Sequence, residues 1–176
     1  MAKGADALTA LWGQADYFTE TTNMLVAVLF SWLAVRAQAP VSSRALAVAA
    51  VSEAIVMLVY WPVLYPTNPP KPGEEIANVL IHGVVPMMVI AYCIMLARKA
   101  TTTLSDPLRW MAYPVGYTVF IMARGILTGK YPYFFFNPAK VGVPMVIADI
   151  VIIGIIYFGA GHVFVWLDRK PRQALA

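Results

Sequence analysis

Charge, histidine and cysteine are what this sequence has least of. Only 12 % of its 176 residues are charged, about half the share of a soluble domain, which excludes an ordinary cytosolic enzyme. The single cysteine, Cys93, excludes an intrachain disulfide, a CxxC redox pair and a cysteine zinc site. In its apolar stretch it reads as a small core or lipid-facing residue. The two histidines, His82 and His162, are expected at opposite ends of the molecule and form no HxxxH or HxxE pair, so neither a metal site nor a cofactor is expected. The 13 Lys+Arg exceed the 9 Asp+Glu by four, but they are scattered without interleaved aromatics, so nucleic acid is not an expected partner.

What is abundant is apolar surface: 60 % of residues are hydrophobic and the mean hydropathy is +0.69. It comes in blocks of roughly 18 to 25 residues, the length that crosses about 30 Å of hydrocarbon at 1.5 Å per residue. The reading is an all-α polytopic transmembrane bundle of about five spans: Phe18 to Val35, Ala45 to Tyr65, Ile76 to Ala97, Pro107 to Leu127 and Val141 to Leu167. Residues 1–17 form a short interfacial segment, 18–168 the transmembrane domain and 169–176 a basic tail. Within the first segment Ala7, Leu8, Leu11 and Trp12 carry a weak helical period. Ala37-Gln38-Ala39 looks like a cleavage site, but Lys3 is outnumbered by Asp6, Asp16 and Glu20 and a proline would follow the cut, so a signal peptide is rejected.

Five spans put the termini on opposite sides. Arg36, Arg44, Arg98, Lys99, Arg109, Arg169, Lys170 and Arg172 share one side, and Lys3, Lys71, Lys130 and Lys140 the other. Positive charge gathers in the cytoplasm, so the N-terminus is expected outside and the C-terminus inside. Tyr60, Trp61, Tyr65, Tyr131 and Tyr133 anchor the outer end; Trp32, Trp110, Tyr113 and Trp166 anchor the inner one.

Polar groups inside hydrocarbon need a partner or a purpose. Thr19, Glu20, Thr21, Thr22 and Asn23 open the first span; Glu53 lies in the second, Asn78 and His82 in the third, Arg124 in the fourth and Asp149 in the fifth. Thr19, Asn23, His82, Arg124 and Asp149 share the outer half, with His82 and Asp149 roughly 9 to 12 Å below its boundary. Thr19, Thr22 and Asn23 line one helix face, as do Asn78 and His82. Pro86, four residues after His82, has no N–H, so the His82 carbonyl loses its partner and a kink is expected. A threonine hydroxyl, a histidine and a carboxylate are the parts of an activated nucleophile: His82 takes the threonine proton and Asp149 orients the ring. Arg124 and Asp149 alternatively form an intramembrane ion pair.

Tyr17-Phe18-Thr19 with Thr22-Asn23, Leu80-Ile81-His82-Gly83-Val84-Val85-Pro86, Tyr113-Pro114-Val115-Gly116-Tyr117, Arg124-Gly125 and Thr128-Gly129-Lys130-Tyr131-Pro132-Tyr133-Phe134 together resemble the bacterial relatives of the androgen-induced membrane hydrolases. The resemblance runs from Tyr17 to the end of the fifth span. It implies a bacterial inner-membrane protein and a threonine hydrolase of fatty-acid esters of hydroxy fatty acids or similar lipids, with Thr19, or Thr22 under a small shift, as nucleophile and His82 as its base. Asn23 or Asn78 would donate to the oxyanion, Arg124 would hold a substrate carboxylate, and Asp149 and Tyr131 complete the expected substrate-binding set. The family usually has six spans, so the missing first helix leaves one side open to lipid or filled by a homo-oligomer or partner helix. Two other classes compete: a non-catalytic protein that binds lipid or pigment or assists assembly, using Ala47, Ala49 and Ala50 for close helix contact, and a carrier relaying protons through Glu53, His82 and Asp149. The chain lacks the inverted repeat of a carrier.

Overall fold

Where prolines fall in apolar helices decides the shape of this molecule. The computed structural model describes residues 12–36, 43–95 and 102–170. Among these the structure is helical throughout, with no strand: α1 (Phe18–Val35), α2 (Arg44–Thr67), α3 (Glu75–Met95), α4 (Asp106–Trp110), α5 (Ala112–Thr128) and α6 (Val143–Arg169). α1, α2, α3 and α6 are long and apolar enough to cross a membrane, as an integral membrane protein requires. α2 is the central helix, more than half buried. Ala47, Ala49 and Ala50 are all in its buried faces, and their small side chains let the neighbouring helices approach closely. Cys93 is a core residue whose Sγ meets the Leu46 carbonyl at 3.4 Å.

The expected fourth span differs in form. It breaks at Met111 into α4 and α5, and neither piece alone is a full span. The two nevertheless run from one end of the bundle to the other. Asp106, at the start of α4, is paired with Arg44 at the start of α2, whereas beyond α5 the Tyr133 hydroxyl accepts from the Phe18 N–H at the start of α1, 2.8 Å away. We call the end carrying Phe18 the upper end. The last helix starts two residues later than expected because Gly142, at φ +83°, sits in a conformation that an L side chain resists, and it separates the turn Pro138–Val141 from α6.

α2 and α3 each contain one π-helical turn, Tyr60–Leu64 and Leu80–Val84. Both begin six residues before a proline, Pro66 and Pro86. In α3 the Val85 N–H reaches the Leu80 carbonyl. Ile81 would need the N–H of residue 86, which proline lacks, and the wider turn bypasses the His82 carbonyl as well. Both orphaned acceptors are taken by side chains: Asn23 Nδ2 donates to Ile81 at 3.2 Å and Trp61 Nε1 to His82 at 2.9 Å. The π turn thus ties α3 to α1 and α2 at the level of His82.

Most of the interfacial segment, the linker 37–42 and the end of the basic tail lie outside the described residues. The last turn of the first segment is described and folds onto α5: the Trp12 ring meets Phe120 edge-on and lies under the Arg124 guanidinium.

Candidate functional site

The upper end holds a polar cavity of about 340 Å³, within the range of ligand sites. α1 contributes Thr19 and Glu20 to its wall, α2 contributes Tyr60, and α3 contributes Asn78 and His82; Lys71 and Tyr133 close it from the loops. Three of the sequence-predicted residues, Thr19, Asn78 and His82, therefore share one chamber.

His82 is oriented on two sides. Its Nδ1 lies 3.1 Å from the Asn78 carbonyl, which only accepts, so the ring carries its proton on Nδ1 and leaves the lone pair of Nε2 free. The Tyr60 ring stacks on the imidazole with centroids 3.5 Å apart and planes 14° apart. The π turns place these two rings, and Trp61 holds the backbone beneath His82 from the same turn as Tyr60.

Around this pair several polar atoms lack a well-formed hydrogen bond to protein. Tyr60 is buried, and neither its hydroxyl nor Asn78 Oδ1 makes one, although the Asn78 side chain lies close enough to act on the Tyr60 hydroxyl. Thr19 is buried and its Oγ1 bonds to no other described residue, His82 included. Thr22 is placed differently. Its hydroxyl meets the Tyr113 hydroxyl at 3.0 Å, and it faces an apolar groove between α1 and α2 rather than the chamber. Asn23 has both amide protons committed, to Thr19 O at 2.9 Å and Ile81 O at 3.2 Å. It is therefore a helix-capping residue, and Asn78 is the amide left to face a ligand.

The expected Arg124–Asp149 pair is not formed. Arg124 Nε instead bonds Asp16 Oδ1 at 2.9 Å, because the segment preceding α1 folds back over α5 and brings a carboxylate closer than α6 does. Asp149 is half-buried on α6 and neither bonds His82 nor lines the chamber. Tyr131 packs its ring where a Cβ on Gly125 would stand, outside the chamber wall, while Tyr133 occupies the wall. Glu53 is wholly buried in α2 with both carboxylate oxygens unpartnered, on the helix stripe that leads through Val56 to Tyr60. Among the described residues no group of three His, Cys, Asp or Glu side chains is placed to hold a metal ion.

In the sequence Tyr60, Trp61 and Tyr133 read as interfacial anchors, with no role assigned to them in the site. The structure makes Tyr60 the stacking partner of the histidine, Trp61 the cap of its carbonyl and Tyr133 the acceptor for α1's first N–H. The adjacent Pro62 and Pro66 were the available signal, since prolines inside an apolar run mark where side chains must replace backbone bonds.

No family model, no curated protein and no solved structure matches this chain.

Proposed function

We propose that this protein is an intramembrane hydrolase of lipid-like esters, the activity that the resemblance implies, in which Thr19 is the nucleophile and His82 its general base. One observation carries the reading: a threonine hydroxyl that bonds to no other described residue and an imidazole whose Nε2 bonds to none line one chamber at the polar end of an apolar bundle. In the first step His82 Nε2 takes the Thr19 proton while Oγ1 bonds to the ester carbonyl carbon. The carbonyl oxygen, now negative, accepts from the Asn78 amide. The bond to the leaving alkoxide breaks as His82 returns the proton to it. Water entering from the upper end then cleaves the acyl-threonine by the same exchange. Fatty-acid esters of hydroxy fatty acids fit this chemistry, with the hydrophobic walls binding the chains and Lys71 available to a carboxylate. We place the protein in a bacterial inner membrane with the chamber on the outer side, since Lys/Arg residues concentrate at the opposite end.

The test is turnover of a fluorescent acyl ester and of a fatty-acid ester of a hydroxy fatty acid in nanodiscs. His82→Ala and Thr19→Ala should each lower kcat at least a hundredfold or so, the usual loss of a general base or its nucleophile, while Thr22→Ala folds and turns over. A wild type without turnover, or an unaffected His82→Ala, overturns the proposal. Since no bond joins Thr19 to His82, the second reading is a chamber that binds a lipid headgroup without chemistry. It predicts lipid retention without turnover.

A further inference from the structure

Sharing part of its wall with the polar chamber lies a small apolar pocket of about 60 Å³. Thr19, Leu64 and Tyr133 are common to both walls, so Thr19 stands on the boundary between a polar and an apolar space. The pocket has five hydroxyl-bearing residues in its wall, and four are already occupied. Tyr117 donates to the Asp16 carbonyl at 2.6 Å, Thr118 to the Pro114 carbonyl at 2.8 Å, Tyr133 accepts from Phe18 N at 2.8 Å, and Tyr157 shares a bond with Ser52 at 3.1 Å. The fifth is Thr19. Among the described residues the pocket is therefore apolar in effect, with one hydroxyl left uncommitted at its upper limit.

On its far side the pocket meets a groove between α5 and α6 of about 590 Å³, open to the face that the bilayer covers. Pro114, Thr118, Phe136 and Ile153 belong to both walls. Because Thr118 turns its hydroxyl back onto its own helix, it offers the passage only its methyl group. A helix from another protein could lie along the groove but could not follow the passage inward. A single hydrocarbon chain is narrow enough to pass between these four side chains, and Thr19 stands at the other limit of the pocket.

We propose that the α5–α6 groove is a lateral portal for a fatty-acyl chain, which threads past Ile153 through the small apolar pocket to bring its ester carbonyl to Thr19. This rests on the hydrolase reading for its catalytic consequence but not for the binding site itself. The acyl tail thus remains in contact with the bilayer, and the alcohol half of the ester occupies the polar chamber above.

Two measurements test it. A palmitate analogue bearing a diazirine in its chain, irradiated with the protein in nanodiscs, should label segments 114–119 and 150–155, and excess palmitate should suppress the labelling. Labelling spread over every lipid-facing helix and indifferent to palmitate overturns the portal, as does labelling unchanged in Ile153→Trp, whose indole would block the passage. The second measurement is the ratio of turnover for palmitoyl against butyryl esters. Ile153→Trp should lower that ratio about tenfold or more, the effect of losing room for several methylenes, while Val28→Trp, on an exposed face of α1 far from the passage, leaves it unchanged. An unchanged ratio in Ile153→Trp overturns the route. Competed labelling in a protein that hydrolyses nothing would retain the portal and discard the hydrolase.

Discussion

Single residues in this protein are held by whichever partner lies nearest, and Asp106 shows how far that holds for a charge. Its side chain is fully buried, yet it accepts from Thr103 N at 2.7 Å, Arg44 Nε at 3.2 Å and Arg109 Nη1 at 3.1 Å. Burial alone would raise its carboxyl; the Thr103 bonds and the Arg44 guanidinium outweigh burial and hold it below the ordinary value. A carboxyl lowered on folding stabilises the protein above its unfolded value of about 3.9, and that contribution disappears as pH falls through the lower folded value. Asp106→Asn should therefore destabilise the protein at neutral pH, and the difference should begin to shrink below about pH 4 and close below the lowered folded value, in denaturation series in micelles. Because Arg44 and Arg109 remain 52 % and 65 % exposed, screening limits the loss to about 1–2 kcal/mol rather than that of a sealed ion pair. A difference that persists unchanged at pH 3 would mean that packing, not charge, is what Asn disturbs. That His82, Thr19 and Asn78 come together at one level was legible because polar groups in an apolar run stand out. Arg124 was assigned the wrong carboxylate because sequence shows depth along a span but not which distant segment folds back to meet it.

At the scale of elements, the spans were legible and their interruptions only partly so. α1 begins and ends where hydropathy places it, and the released His82 carbonyl follows from the missing Pro86 N–H alone. That the strain spreads into a π turn, and so releases Ile81 as well, depends on the bundle around it. The same holds for Met111, where an apolar run conceals a break. If Asn23 and Trp61 serve as caps for α3, removing either leaves a carbonyl unpaired in a dry environment. Asn23→Leu and Trp61→Phe should each cost about 1–2 kcal/mol. Their effects should combine non-additively with Pro86→Ala, which restores a donor to the ladder. Thermal unfolding of the single and double variants in micelles provides the comparison. Equal losses in the Pro86 and Pro86→Ala backgrounds would show that the two side chains stabilise by packing and not by capping.

The whole molecule poses the question of how often the chain crosses. Counting by length and hydropathy finds four crossing helices, which would leave both termini on one side; the α4–α5 passage makes five. The ties at its two ends carry the argument. Asp106 cannot pair with Arg44 while Tyr133 caps Phe18 unless residues 106–133 run the full height of the bundle, since α1 separates those levels by 18 residues, about 27 Å of helix. A helix broken at Met111 traverses poorly when alone, but here its aromatic side chains pack on α1 through Phe18, Tyr113 and Tyr117, so it is held by neighbours rather than by its own hydropathy. Cysteine labelling distinguishes the counts. Cys93 is buried, so replacing it with alanine gives a silent background into which Asn68→Cys, Lys140→Cys, Thr103→Cys and Lys170→Cys are introduced singly. With five crossings, an impermeant maleimide should reach positions 68 and 140 in intact cells and positions 103 and 170 only after the membrane is opened. With four, positions 103 and 140 would label together. In that case the chamber's floor, which depends on Tyr133 returning to the upper end, could not be built as described.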